Sequence, residues 1–245
     1  MSDKKQYGFY KTGELVYKKA YTLYKPVYFF WKMYSDRKRI NALKEYIKPG
    51  MRVVDVGANI GFYSILFAKI VGEKGSVHSF EPDKENFRHL ISNSKKIKNI
   101  FANNLAVSDK TGKIKLYRCD INVDHQTYDN GEGRVFTEID SISMDDYFIN
   151  GEPVDLIKTD TQGFDYFVIG GMKELIKKSK RLILTTEFWP FGLNKSGIDP
   201  EKFISLLEEM GFKLTYMDKD AEKSYKQKID DWSYHTDIIA VKQHS

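Results

Sequence analysis

The chain has 245 residues, of which 41% are hydrophobic and 30% charged, with a net charge of +5. That is material for one large domain with an ample core, and no stretch approaches the length of a membrane span. A single cysteine, Cys119, excludes an internal disulfide, and with no signal-peptide pattern at the N-terminus it fits a reducing, cytoplasmic compartment.

The charge is uneven. Residues 1–50 carry a net +8, which leaves −3 for the rest, and the basic part is crowded with Tyr, Phe and Trp. Such a segment can lie on an anionic membrane face or a nucleic-acid backbone. It can also cap the sheet edge with its aromatics inward and its lysines solvated. Residues 1–48 are therefore set apart as a helical, basic and aromatic segment packing on the core, and 49–245 as the main domain. Within the segment, 13–24 and 35–47 read as helices separated by a break at Pro26. Pro49-Gly50 closes it.

Strand one is Arg52–Val56. The apolar residues after Gly61 recur nearly all round, which predicts a buried helix. Gly72 to Gly75 turns into strand two, Val77–Glu81. Asp83 or a neighbour caps the next helix, to about Lys96. Strand three is about Ile100–Val107, and Lys110 to Lys113 turns into a returning strand, Ile114–Arg118. Residues 120–136 read as a polar loop and Ser143 as a helix start. Strand four is Val154–Thr159, followed by a helix after Gly163 with a weak point at Gly170-Gly171. Strand five is Arg181–Thr186, 191–200 a loop and Pro200–Met210 a helix. Lys213–Met217 and Asp237–Val241 close the chain as strands, with a charged linker between them. Strands alternating with helices argue for a mostly parallel α/β sheet with an antiparallel edge.

Ligands of open α/β sheets sit outside the carboxyl ends of the strands. Asp55, Glu81, Val107-Ser108, Asp160 and Glu187 all fall at such ends. Strand one runs into a glycine turn, Gly57-Ala58-Asn59-Ile60-Gly61, and strand two ends in Glu81-Pro82, placed to hold a ribose. The turn is Gly57-x-x-x-Gly61, without the close glycine pair of a pyrophosphate cradle. It suits a nucleoside cofactor lacking phosphates, of which S-adenosylmethionine is the commonest. The candidate cofactor residues are Asp55, Gly57, Asn59, Gly61, Phe62, Glu81, Pro82, Ala106, Val107, Ser108 and Asp160. Glu81 would accept the ribose hydroxyls, and Ala106, Val107 and Ser108 would flank the adenine. Phe62 and Tyr63 either touch the cofactor or pack their rings into the core. Trp189-Pro190-Phe191 either line the acceptor pocket or make a hydrophobic corner. His78, inside strand two, reads as a core histidine.

The stretch Gly50 to Ser64 resembles the first motif of FkbM-type methyltransferases. So does Val77 to Asp83 with Asn86. Leu105-Ala106-Val107-Ser108-Asp109 and Asp155 to Asp165 match that family in order and spacing, so the resemblance runs from about Ile47 to Phe212. It implies a class I, Rossmann-like fold: a mostly parallel seven-stranded sheet with an antiparallel edge and helices on both faces. It also implies an S-adenosylmethionine-dependent O-methyltransferase acting on a hydroxyl of a sugar, glycan or related small molecule.

Methylating an alcohol requires a group to handle its proton. His125, in the polar loop, and Asp160 are the candidate catalytic residues, with Glu187 beside them. Asp160 and Glu187 together could also bind Mg²⁺ through hard carboxylate oxygens. Three rivals differ in class. A nucleic-acid methyltransferase is disfavoured because no Asp/Asn-Pro-Pro-aromatic motif and no Pro-Cys pair is present. A nicotinamide oxidoreductase lacks its glycine pair. A non-catalytic membrane-docking protein would use residues 1–34 as its contact, and peripheral membrane contact through that segment is compatible with catalysis as well.

Overall fold

The computed structural model describes residues 13, 15–117, 127 and 135–243. Residues 15–19 are helical. They are followed by α1 (Tyr21–Ser35) and α2 (Arg37–Tyr46). Pro26 does not break α1 but lies inside it, so the helix continues past the missing N–H that was expected to end it. Pro26 removes one backbone donor from a helix whose residues are all at least partly exposed.

The core is a sheet built from β1 (Arg52–Val56), β2 (Ser76–Phe80), β3 (Ile100–Asn103), β7 (Leu156–Thr159), β8 (Arg181–Phe188), β9 (Phe212–Tyr216) and β10 (Thr236–Gln243). Its order is β3-β2-β1-β7-β8-β10-β9. β1 pairs in parallel with both β2 and β7, β7 pairs in parallel with β8, and β10 runs antiparallel to β8 and β9. The chain therefore winds outward from β1 in one direction and restarts beside it with β7. This makes the β1–β7 junction a topological switch point, where such sheets open a crevice.

The strand period of two distributes side chains between two cores. Val53, Leu156 and Ile183 face one layer, with Ile40, Leu43 and Ile47 of α2 and its C-terminal neighbour. Val54, Ile157, Leu182 and Leu184 face the other, with Val168, Phe203 and Leu207. The central strands are apolar on both faces because helices cover both. The first of those covering helices, α3 (Phe62–Val71), is buried over most of its surface, as its composition predicts. α4 (Lys84–Ser94) starts at Asp83, whose carboxylate accepts from Glu85 N at 2.8 Å and Asn86 N at 2.9 Å.

Several expectations are corrected. The predicted third strand splits: β3 stays in the main sheet, and β4 (Ala106–Val107) leaves it for a second sheet of order β4-β6-β5. β5 (Gly112–Tyr117) does not return onto strand three but pairs with β6 (Phe136–Ile142), a strand the sequence did not announce. Its half-exposed residues have no inward apolar row to reveal it. β8 runs on through Glu187 and Phe188 because β10 pairs with it to the end. The predicted loop after Trp189 holds a short helix, Pro190–Lys195, begun by a proline suited to a first turn. The helix after Gly163 breaks at Gly170-Gly171 as expected, into Asp165–Gly170 and Lys173–Lys178. Met144–Tyr147 is helical with Ser143 as its cap, and Pro200–Glu209 ends before Gly211.

Candidate functional site

A cavity of about 630 Å³ lies over the carboxyl ends of β1, β2 and β7, at the switch point. Its floor is the turn after β1. Gly57 has φ +73, and a Cβ there would meet the Asp160 carbonyl oxygen at 2.0 Å, so only glycine lets the turn press against the β7 end. Asn59 and Gln162 are the non-glycine residues with positive φ among the described residues, at 50° and 55°. Both line this cavity. Asn59 compensates locally by accepting from Ile60 N at 2.7 Å. Strained backbone concentrated on two walls of one cavity is a mark of a working site.

Glu81 is buried at the end of β2 and faces the cavity. One carboxylate oxygen accepts from Asn59 N at 2.7 Å and the other from Asp83 N at 3.0 Å. The side chain is thus fixed to the turn after β1 and to the start of α4, and each oxygen keeps capacity for a further donor. Burial, outweighing those two backbone bonds, pushes its carboxyl up to about 7.

Behind the turn sits a buried ionic network. Lys158 of β7 lies 3.2 Å from Asp55 and 3.7 Å from Asp160, and donates to the Gly57 carbonyl at 3.1 Å. Ser64 of α3 donates to Asp55 at 2.6 Å. Arg39 of α2 reaches Asp237 at 3.0 Å and Asp160 at 3.7 Å. The register explains the convergence: Thr159 is level with Thr186, and Asp237 with Glu187, so Asp160, Glu187 and Asp237 form one row across three neighbouring strands. Burial opposes ionisation of Asp160, but Lys158, Arg39 and Lys32 together hold its carboxyl below the usual carboxylate range. Glu187 goes the other way. Burial, and then the charge of Asp160, raise it well above that range. One of its oxygens is buried without a hydrogen-bond partner. The two cavity carboxyls are therefore pushed in opposite directions, Asp160 down by its cationic neighbours and Glu187 up by burial and the charge beside it.

The structure brings together Gly57, Asn59, Phe62, Glu81, Pro82, Ala106, Val107, Asp160 and Glu187 on the cavity wall. It does not bring Asp55 there: that side chain is fully buried against Lys158 and Ser64, and serves the wall from behind. Gly61 and Ser108 are likewise absent from the lining. Gly61 opens α3 against Leu90, and Ser108 bonds Asp109. Gly163 serves packing rather than the cavity wall. A Cβ on it would meet the Gly192 backbone at 2.5 Å, so it lets the β7 loop pack on the helix after β8. Trp189 and Phe191 also lie off the wall. Trp189 instead donates to the Trp232 carbonyl at 2.9 Å, and Trp232 is the ring that lines the cavity. His78 is the satisfied histidine expected, 3.0 Å from Tyr147 Oη, with burial pushing it down to about 4. His125 lies outside the described residues.

Sequence reasoning missed the cations Lys158 and Arg39, and the helical wall. Leu23, Tyr24, Val27, Tyr28, Trp31 and Lys32 of α1 close one side of the cavity. The aromatic excess at the N-terminus was the signal, but nothing in it says which strand ends the helix will cover. Magnesium fits this site poorly. Asp160 already has two cationic neighbours, and among the described residues no group of three or more His, Cys, Asp or Glu side chains could hold a metal.

The methyltransferase FkbM domain model matches residues 55–214. Protein-L-isoaspartate O-methyltransferase 1 of Arabidopsis thaliana is 33% identical over 78 residues, which cover 32% of this chain and 31% of that protein. The chain thus matches about a third of the length of that curated relative. Among solved structures, a protein classed as an rRNA methylase from Clostridium thermocellum superposes with a TM-score of 0.52 at 14% identity, over 84% of this chain and 95% of that one. It shares the fold. An FkbM methyltransferase from Methylobacillus flagellatus KT aligns over 78% of this chain and 43% of its own, at 16% identity and a TM-score of 0.48.

Proposed function

We propose a methyl-transfer function for this chain, which belongs to the FkbM methyltransferase family. In this reading S-adenosylmethionine is the methyl donor, and the acceptor is a hydroxyl of a sugar, glycan or related small molecule. The observation that carries it is Glu81, a buried carboxylate with both oxygens steadied by backbone N–H groups and turned to the cavity at the switch point. A ribose diol offers two O–H donors to one carboxylate. Ala106 and Val107 supply an apolar wall for a base, and the turn from Gly57 to Ile60 supplies backbone for the amino-acid end. When bound, S-adenosylmethionine supplies the activated methyl group.

The protein's part is to hold the acceptor oxygen in line and take its proton. Asp160, which Lys158 and Arg39 hold below the usual carboxylate range, would accept the hydroxyl hydrogen and take its proton as the oxygen–methyl bond forms and the sulfur–methyl bond breaks, and would pass it on to solvent. Glu187, level with Asp160 on the next strand and with one buried oxygen that has no hydrogen-bond partner, offers a second polar contact to the same acceptor. A polyol can meet two carboxyl groups side by side, which supports a sugar acceptor.

Titration of S-adenosylhomocysteine into the protein and into Glu81→Ala tests the donor. Binding that the variant loses is expected, and no heat with a folded wild-type protein would overturn the reading. Transfer of labelled methyl to a saccharide panel tests the acceptor. Label appearing in RNA or protein and in no saccharide would overturn that half.

A further inference from the structure

α1 walls the cavity on one side, and its apolar surface continues outward beyond the lining to Phe30 and Tyr34. Leu23, Val27, Phe30, Trp31 and Tyr34 recur at helical spacing, so they form one stripe along the helix. All are exposed: Leu23 by 68%, Val27 by 69%, Phe30 by 77%, Trp31 by 42% and Tyr34 by 65%. Of the thirteen large apolar side chains exposed among the described residues, seven lie between Leu15 and Tyr34, so this surface is concentrated rather than scattered. Lys19 precedes the stripe and Arg37 and Lys38 follow it, all exposed. The first fifty residues carry a net +8. Among the described residues no helix is long and apolar enough to cross a membrane.

We infer that α1 is a membrane-docking face: its apolar stripe lies in the interface of an anionic phospholipid bilayer, with the flanking cations on the headgroups. Two observations choose a bilayer over a second copy of this chain. Pairing two such faces would bring two strongly basic segments together, whereas anionic headgroups neutralise them. The stripe is also continuous with the cavity, since Leu23, Val27 and Trp31 belong to both. Seated on a bilayer, the helix opens the cavity toward the lipid, and Trp31 and Tyr34 sit at the depth that amphipathic rings prefer. A membrane-anchored acceptor, such as a lipid-linked sugar, could then enter the cavity without leaving the surface. This last step rests on the methyl-transfer reading, but the docking does not.

Co-sedimentation of the full chain with vesicles tests it, comparing phosphatidylcholine alone with equal parts phosphatidylcholine and phosphatidylglycerol. The chain is expected to pellet with the anionic vesicles and to be released by high salt in part only, because the apolar contact is unscreened. Phe30 and Tyr34 lie outside the cavity lining, so Phe30→Glu/Tyr34→Glu should weaken partitioning by roughly ten- to hundredfold. Binding of S-adenosylhomocysteine and the melting temperature should not change. If the double variant does not fold, Phe30→Glu alone is measured in the same way. A chain that stays in the supernatant, or a folded variant that pellets like the parent, overturns the docking. So does a parent that is dimeric and becomes monomeric on substitution without any vesicle binding. Loss of S-adenosylhomocysteine binding in the parent, with pelleting intact, would fault the methyl-transfer reading instead.

Discussion

The two sides of the cavity are built by opposite means. The side at the strand ends is fixed: Asp55, Lys158 and Glu81 are buried, Lys158 and Glu81 are tied to backbone and Asp55 to Lys158 and Ser64, and the register of parallel strands sets β1 against β7. The side formed by α1 contains no buried residue and contacts the cavity through rings and aliphatic chains. Rigid, charged strand ends suit groups that must stay in one geometry, while a half-exposed helix has room to adapt. The difference teaches where to expect tight energetics and where to expect tolerance.

Breaking the fixed side should cost most. Lys158→Met leaves Asp55 buried without its cation, and should lower unfolding stability by about 3–5 kcal/mol. Urea unfolding measures this, and Asp55→Asn added to it should restore part of the loss. A cost below about 1 kcal/mol would mean that strand packing alone fixes that side. Glu81→Ala should weaken S-adenosylhomocysteine by about tenfold to a hundredfold, the worth of hydrogen bonds to a charged group, as read by calorimetry.

The charge of Glu81 sharpens the contrast further. Its carboxyl, raised by burial to about 7, must be ionised to accept both ribose hydroxyls. Affinity should therefore rise with pH up to about 7 and fall by about tenfold per unit below it. Glu81→Gln should bind weakly with no such slope. The sign for stability is the reverse: the folded form holds the proton more tightly than the unfolded chain. Folding stability from this group is therefore greatest at low pH and is lost as pH rises from its ordinary value of 4.5 to about 7. The smallest effect belongs to the helical side. Trp31→Ala should change stability by less than about 1 kcal/mol and leave cofactor binding intact, yet raise the KM for the acceptor several-fold. An equal loss of cofactor affinity would erase the division between the two sides.

Much of this was legible in advance. The strand ends at Asp55, Glu81 and Asp160, the Gly57 turn and the Asp83 cap all carry local signals, because a turn or a cap needs particular residue types at particular positions. Asp55 was read one step too far: its place at the strand end was clear, but not that Lys158 would claim it. β6 and the helix at Pro190–Lys195 were missed because neither shows an apolar period of its own.

By itself the sequence determined the mostly parallel α/β class, the antiparallel edge and the acidic strand ends, since these follow from apolar periods and turn chemistry within a few residues. Only the tertiary structure decided that Lys158 and Arg39 would meet Asp160, that Glu187 would lie level with it on the next strand, and that α1 would wall the cavity. Those outcomes depend on distances between residues far apart in the chain and on the water their packing excludes, and neither is written in any local pattern.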